Sequence, residues 1–192
     1  DIVTNGAGIF LGRTNSLTIG DVLTVDTTRT GAAAARVEIT AVGDVDLGNI
    51  DASFLDVTTT GDLTQDGGTR IVAGRSTDLD AANITLTEAA NDFADTGSGD
   101  LLAVEGATIS VVDTDTVAVG AITATDFTLE SNDAGTSAVF YSAVDSATFI
   151  DNSGDMVLSF SGVSADTFTA NSVGSIDVQG VNIFNGTNDG VV

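Results

Sequence analysis

The chain contains no cysteine, histidine, lysine, proline or tryptophan. Without Cys or His there is no disulfide framework, no thiol nucleophile and no zinc, haem or iron–sulfur site of the usual kind. A Ser-His-Asp triad is excluded as well. Without Lys there is no P-loop, no Schiff base and no Lys–Asn cross-link. Positive charge is scarce: five bases, Arg13, Arg29, Arg36, Arg70 and Arg75, face 28 acids, for a net charge of −23. Such a surface argues against nucleic acid and against an anionic membrane as partners. No apolar run approaches the ~20 residues of a membrane span. Residues 1–20 have no basic start followed by an apolar stretch, so no signal peptide is expected. The first residue is Asp1 rather than Met, which reads as a mature product or a piece of something longer.

What is present points to β structure. Apolar residues are 42% of the chain, too many for a disordered, highly charged segment. There are 28 Thr and 22 Gly. Thr, Val and Ile suit a pleated surface, whereas Gly, Asp, Asn and Ser favour turns over helix. Charge is unevenly placed. Residues 1–75 hold 10 acids and all five Arg, and residues 76–192 hold 18 acids and no base. Carboxylates with no cation among them repel at low ionic strength, and salt or divalent cations screen that repulsion. An extracellular setting, salty or calcium-containing, is expected.

Short alternating segments recur: 16–25, 36–47, 51–63, 83–87, 107–119, 121–129, 137–144, 156–160, 163–169 and 175–184. Gly, Asn, Asp and Ser close them, as in Asp66-Gly67-Gly68 and Asn152-Ser153-Gly154-Asp155. Many short strands mean a sandwich, a barrel or a solenoid. Self-similarity favours the solenoid. Residues 45–57 align without a gap on residues 117–129, placing Val45, Leu47, Gly48, Ile50, Ala52, Leu55 and Val57 on Val117, Val119, Gly120, Ile122, Ala124, Phe127 and Leu129. Val37 and Ile39 fall on Ile109 and Val111, so the internal repeat is 37–57 with 109–129. Looser copies follow at 162–168 and 176–183.

The expected fold is all-β: a single right-handed parallel β-helix, or β-solenoid, over residues 1–192, with about nine coils. At ~4.8 Å per coil the rod is ~45 Å long. Alternate residues point inward and stack on the same column one coil away, while Thr, Asp, Ser and Asn face water. Gly48, Gly120 and Gly162 are expected at corners. Residues 31–36 and 88–100 read as longer connections, either able to hold a helical turn. The competing architecture is a two-sheet sandwich of antiparallel hairpins.

Residues 83–93, 107–113 and 119–129, with Gly61-Asp62-Leu63-Thr64-Gln65-Asp66, resemble the repeats of large bacterial filamentous-haemagglutinin-type adhesins. The resemblance covers about residues 37–130. It implies a right-handed parallel β-helix, secretion to the bacterial cell surface and adhesive or filament-forming roles. It implies no catalytic residues.

Candidate chemistry is sparse. Asp44 and Asp46, Asp78 and Asp80, and Asp113 and Asp115 each lie two apart, so a strand would present each pair on one face to a hard cation. The turns 151–155 and 188–190 are further candidates. No EF-hand loop or calcium-binding nonapeptide is present, so weak calcium association is the most that is expected, with no specific metal, cofactor or catalytic residue. Some parallel β-helices cleave polysaccharides with Asp pairs, but the nine Phe and single Tyr141 read as core rather than sugar platform. No enzyme activity is expected. Neither 1–11 nor 180–192 reads as a capping helix, so copies stacking end to end, or flanking segments, are the expected partners. The expected function is a structural rod or self-assembling filament segment of an extracellular adhesin or fibre. The alternative is a carbohydrate- or calcium-binding adhesive module contacting surface glycans.

Overall fold

The computed structural model describes residues 2–4, 9–13, 15–19, 22–24, 36–94, 101–115, 117–132, 137–140, 143–152, 156–161 and 164–181. They form 21 strands and, among the described residues, no helix. In chain order these are β1 (Ile2–Thr4), β2 (Ile9–Arg13), β3 (Leu17–Ile19), β4 (Val22–Thr24), β5 (Arg36–Ala41), β6 (Val45–Leu47) and β7 (Ile50–Ala52). Next come β8 (Phe54–Thr59), β9 (Leu63–Gln65), β10 (Ile71–Ala73), β11 (Thr77–Asp80), β12 (Asn83–Leu86), β13 (Asp92–Phe93) and β14 (Leu102–Glu105). The last are β15 (Thr108–Asp113), β16 (Val119–Ser131), β17 (Ser137–Phe140), β18 (Ala143–Asp151), β19 (Met156–Ser161), β20 (Ser164–Ser172) and β21 (Ile176–Val181).

The strands stack on three faces. The first face is β1-β4-β7-β10-β13. The second begins β2-β5-β8-β11-β14 and the third begins β3-β6-β9-β12-β15. The long β16 serves both: Val119 to Thr123 pair with β14, and Asp126 to Ser131 pair with β15. Beyond it β17, β19 and β21 continue the second face, and β18 and β20 the third. Every pairing among the described residues is parallel, which a sandwich of antiparallel hairpins cannot give. The fold is a parallel β-solenoid of about five three-faced turns. It does not establish nine uniform coils.

The alternation in sequence explains the wall. Along β5 the inward residues Val37, Ile39 and Ala41 are buried, whereas Arg36 and Thr40 are exposed. The register then stacks inward residues on inward residues: Val45 on Leu63, Ile84 on Ile109, Ile109 on Phe127. The columns anticipated from sequence are in the core. Val45, Leu47, Ile50, Val117, Val119, Ile122 and Leu129 are fully buried, Ala52 nearly so, and Ala124 packs on the core from its margin. Phe127, Phe149 and Phe168 stack one per coil, with ring centroids 5.8 and 5.7 Å apart.

Several details differ from the sequence reading. Val45 and Val117 share no column. Val45 leads through Leu63, Ile84 and Ile109 to Phe127, an offset of 127 − 45 = 82, whereas the alignment offset is 72. The likeness therefore relates strands one face apart, because the same alternation of apolar and polar residues builds both faces. Gly48 does sit at the corner between β6 and β7. Gly120 instead lies in a bulge of β16, where Leu102 faces Val119 and Val104 faces Ile122. A side chain there would meet Leu101 at 3.0 Å. Part of the connection expected at 88–100 is strand β13, and residues 95–100, 31–35 and Gly162 lie outside the described residues.

Candidate functional site

Three side-chain arrays could carry function: two outer faces and one buried column. The outer side of the third face is a ladder of short polar groups. Thr18, Asp46, Thr64, Thr85, Ser110, Thr128, Thr148 and Thr169 follow one another in register. The register sets these polar rungs at the inter-strand spacing of ~4.8 Å. The rungs also bond to one another. The Thr64 hydroxyl donates to Asp46 Oδ1 at 3.0 Å, and Asn83 Nδ2 donates to Asp62 Oδ1 at 2.8 Å.

The outer side of the second face is acidic. Glu38, Asp56 and Asp78 are successive rungs, and Asp80 is followed by Glu105. Arg36 bridges the first two, with Nη2 2.5 Å from Asp56 and Nε 3.5 Å from Glu38. Partial burial of its carboxyl, then the neighbouring Asp56 and Asp80, raise Asp78 above the ordinary carboxylate range, and Arg36 opposes the rise. Arg70 and Arg75 are engaged as well. Arg70 lies 3.8 Å from Asp51, and the Arg75 guanidinium sits 5.5 Å over the Phe54 ring.

The sequence-predicted Asp pairs do not share one geometry. Asp78 and Asp80 are exposed together on β11. Asp44 and Asp46 are engaged by the following coil, Asp44 Oδ1 accepting the Asp62 amide at 3.0 Å and Asp46 accepting Thr64. Asp113 points inward and is fully buried, while Asp115 is half-buried beyond the strand end. The described residues hold no group of three or more acidic side chains arranged for a metal ion. Of the turn 151–155, Asp151 is buried and Asn152 exposed; residues 153–155 and 188–190 lie outside the described residues.

Sequence reasoning missed the buried polar residues. Asn91 occupies the inside of the first face and is fully buried. Its Oδ1 accepts the Ile71 amide and Gln65 Nε2, both at 2.8 Å. Its Nδ2 donates to Gln65 Oε1 at 2.8 Å and to the Leu86 carbonyl at 3.3 Å. Asp113 begins a second line, stacking on Ser131, then Asp151, then Ser172. Asp113 Oδ2 accepts the Phe93 amide at 2.7 Å and Oδ1 the Asp115 amide at 2.9 Å. The signal was available: Val111, Leu129, Phe149 and Ala170 are each followed two residues later by Asp or Ser.

Residues 33–99 match the family described as Repeats of unknown function (DUF5649). This stretch of the chain is similar to DUF5649 repeats. It runs from β5 to just past β13 and holds three strands of each face, so the DUF5649-like segment is three whole turns of the solenoid. No curated protein and no solved structure matches the chain. Neither the DUF5649 match nor the fold connects it with filamentous-haemagglutinin-type adhesins.

Proposed function

We propose that the chain is a structural rod segment of an extracellular bacterial adhesin or surface fibre, wound right-handed in about nine coils, without catalysis. The observation that carries this reading is the uninterrupted parallel register from β3 to β20 along the third face, with apolar columns behind it. Such an array gives length and stiffness in proportion to its number of coils. The right hand is the one favoured for parallel crossovers. The charge of −23 supports a salty setting outside the cell. Copies stacked end to end, or flanking segments, are the proposed partners.

Electron microscopy at neutral pH, with calcium and then with chelator, tests this. Rods or thin fibres support it, fibres only with calcium make the carboxylates assembly ligands, and compact round particles overturn it. The second reading, a glycan- or calcium-binding module, is favoured by the in-register hydroxyl ladder of the third face. It predicts a rise in melting temperature on adding calcium or a surface glycan.

A further inference from the structure

An aspartate cyclises onto the amide that follows it when the carboxyl is unbonded, the amide is unbonded and the next residue lets the two swing together. Glycine meets the last condition, because it has no Cβ to obstruct the approach. Among the described residues Asp66 is the one aspartate followed by glycine. It follows β9 and opens the turn to β10, and Asp66, Gly67 and Gly68 are all exposed. The Asp66 carbonyl accepts the Thr69 amide at 3.3 Å and the Thr69 hydroxyl at 2.6 Å, and Gly68 takes a φ of 79°. An aspartate opening such a turn ordinarily caps the amide two residues on. Here that amide, on Gly68, donates to Glu88 Oε2 of the next coil at 3.0 Å. The Asp66 carboxyl and the Gly67 amide are left without a bond among the described residues. Elsewhere the neighbouring coil holds the amide. Those after Asp44, Asp80, Asp113 and Asp151 donate to the carbonyls of Asp62, Glu105, Asn91 and Ser131, at 2.8, 3.0, 2.7 and 3.0 Å.

We propose that Asp66 is a site of spontaneous isomerisation to isoaspartate, held ready because Glu88 occupies the amide that Asp66 would otherwise cap. The Gly67 nitrogen attacks Cγ of the Asp66 carboxylic acid. The N–Cγ bond forms, and the acid hydroxyl leaves with the amide proton as water, giving a cyclic succinimide. Water then adds to the Asp66 main-chain carbonyl carbon, and the bond from that carbon to the Gly67 nitrogen breaks. The α-carboxyl is freed, and the chain runs on through Cβ and Cγ. One water is lost and one is gained, so the only co-reactant is water. The turn gains one backbone atom and loses from its main chain the carbonyl that receives Thr69. Strands β9 and β10 stay paired with β6 and β12 and with β7 and β13, so an intact rod carries the altered corner. Each copy thereby records the time since it folded.

The experiment is incubation of the whole folded chain at neutral pH over weeks. Samples are read by peptide mapping with electron-transfer fragmentation, which separates isoaspartate from aspartate at equal mass. Isoaspartate should accumulate at Asp66 and stay absent at Asp44, Asp80, Asp113 and Asp151. Gly67→Ala should bring it below detection over the same interval without loss of fold, because an added carbon meets only Glu88 Oε1, at 4.0 Å. Glu88→Ala releases the Gly68 amide to the Asp66 carboxyl and should slow the reaction. If Asp66 stays unchanged in the folded chain while a synthetic peptide of residues 62–70 converts, the proposal is overturned. Conversion of the four other aspartates at the same rate also overturns it, as does a Glu88→Ala rate equal to or above that of the wild type.

Discussion

Replacing Asn91 with Ala should be among the most damaging single changes in the chain that introduces no charge. Asn91 uses both donors and both acceptor positions, in bonds of 2.8, 2.8, 2.8 and 3.3 Å. A typical internal hydrogen bond contributes about 1 kcal/mol net, but a buried group left without a partner costs about 1–3 kcal/mol. Truncation strips the Ile71 amide of its acceptor inside the core. The sum is about 4 kcal/mol, a large share of an ordinary domain's about 5–15 kcal/mol. With a urea slope of about 2 kcal/mol per molar, the midpoint should fall by about 2 M. Gln65→Ala removes only the amide–amide pair and should cost about 1–2 kcal/mol. The double variant should be less harmful than the sum by about 1 kcal/mol, since the pair is then counted twice. A loss below about 1 kcal/mol for Asn91→Ala would refute the reasoning, as would equal losses at Gln65 and Asn91.

Ile122→Asp places an unpaired carboxylate in a fully buried column and should abolish the fold locally or cost at least about 4 kcal/mol, read by circular dichroism melts. Phe149→Ala empties the middle of the three-ring stack and should cost about 3–5 kcal/mol in urea titration. Gly61→Ala brings a new carbon to 2.5 Å from the Asp44 amide, so it should destabilise by at least about 1–3 kcal/mol; Gly12→Ala, with nothing within 4 Å, should be near neutral in the same assay.

The faces were legible where alternation ran long enough. Residues 36–41 and 83–86 carry it unambiguously, and both are strands. Ile71–Ala73 and Asp92–Phe93 are too short to show a period, yet they are the rungs that make the first face. Thr77-Asp78-Leu79-Asp80 alternates around a single large apolar residue, and the register of Leu79 with Val57 and Val104 fixes it as strand β11. Asp113 was misplaced for a different reason. Acidic residues usually face water, and only the folded chain brings the Phe93 and Asp115 amides together where a buried carboxyl accepts both. The coil register was hidden because the second and third faces use one alternation, so a gapless alignment can match strands of different faces.

The uneven spacing of rungs has a use. Along the second face, successive partners are separated by as many as 28 residues, Ile9 to Val37, and as few as 17, Leu102 to Val119. The rise per coil is set by backbone pairing, at ~4.8 Å, and does not change with the number of residues spent between rungs. Contour length is thereby uncoupled from axial position. A peptide epitope or small binding loop inserted at a corner would lengthen the chain without displacing the next rung, so foreign segments could be displayed at fixed ~4.8 Å intervals along a ruler whose graduations they do not disturb.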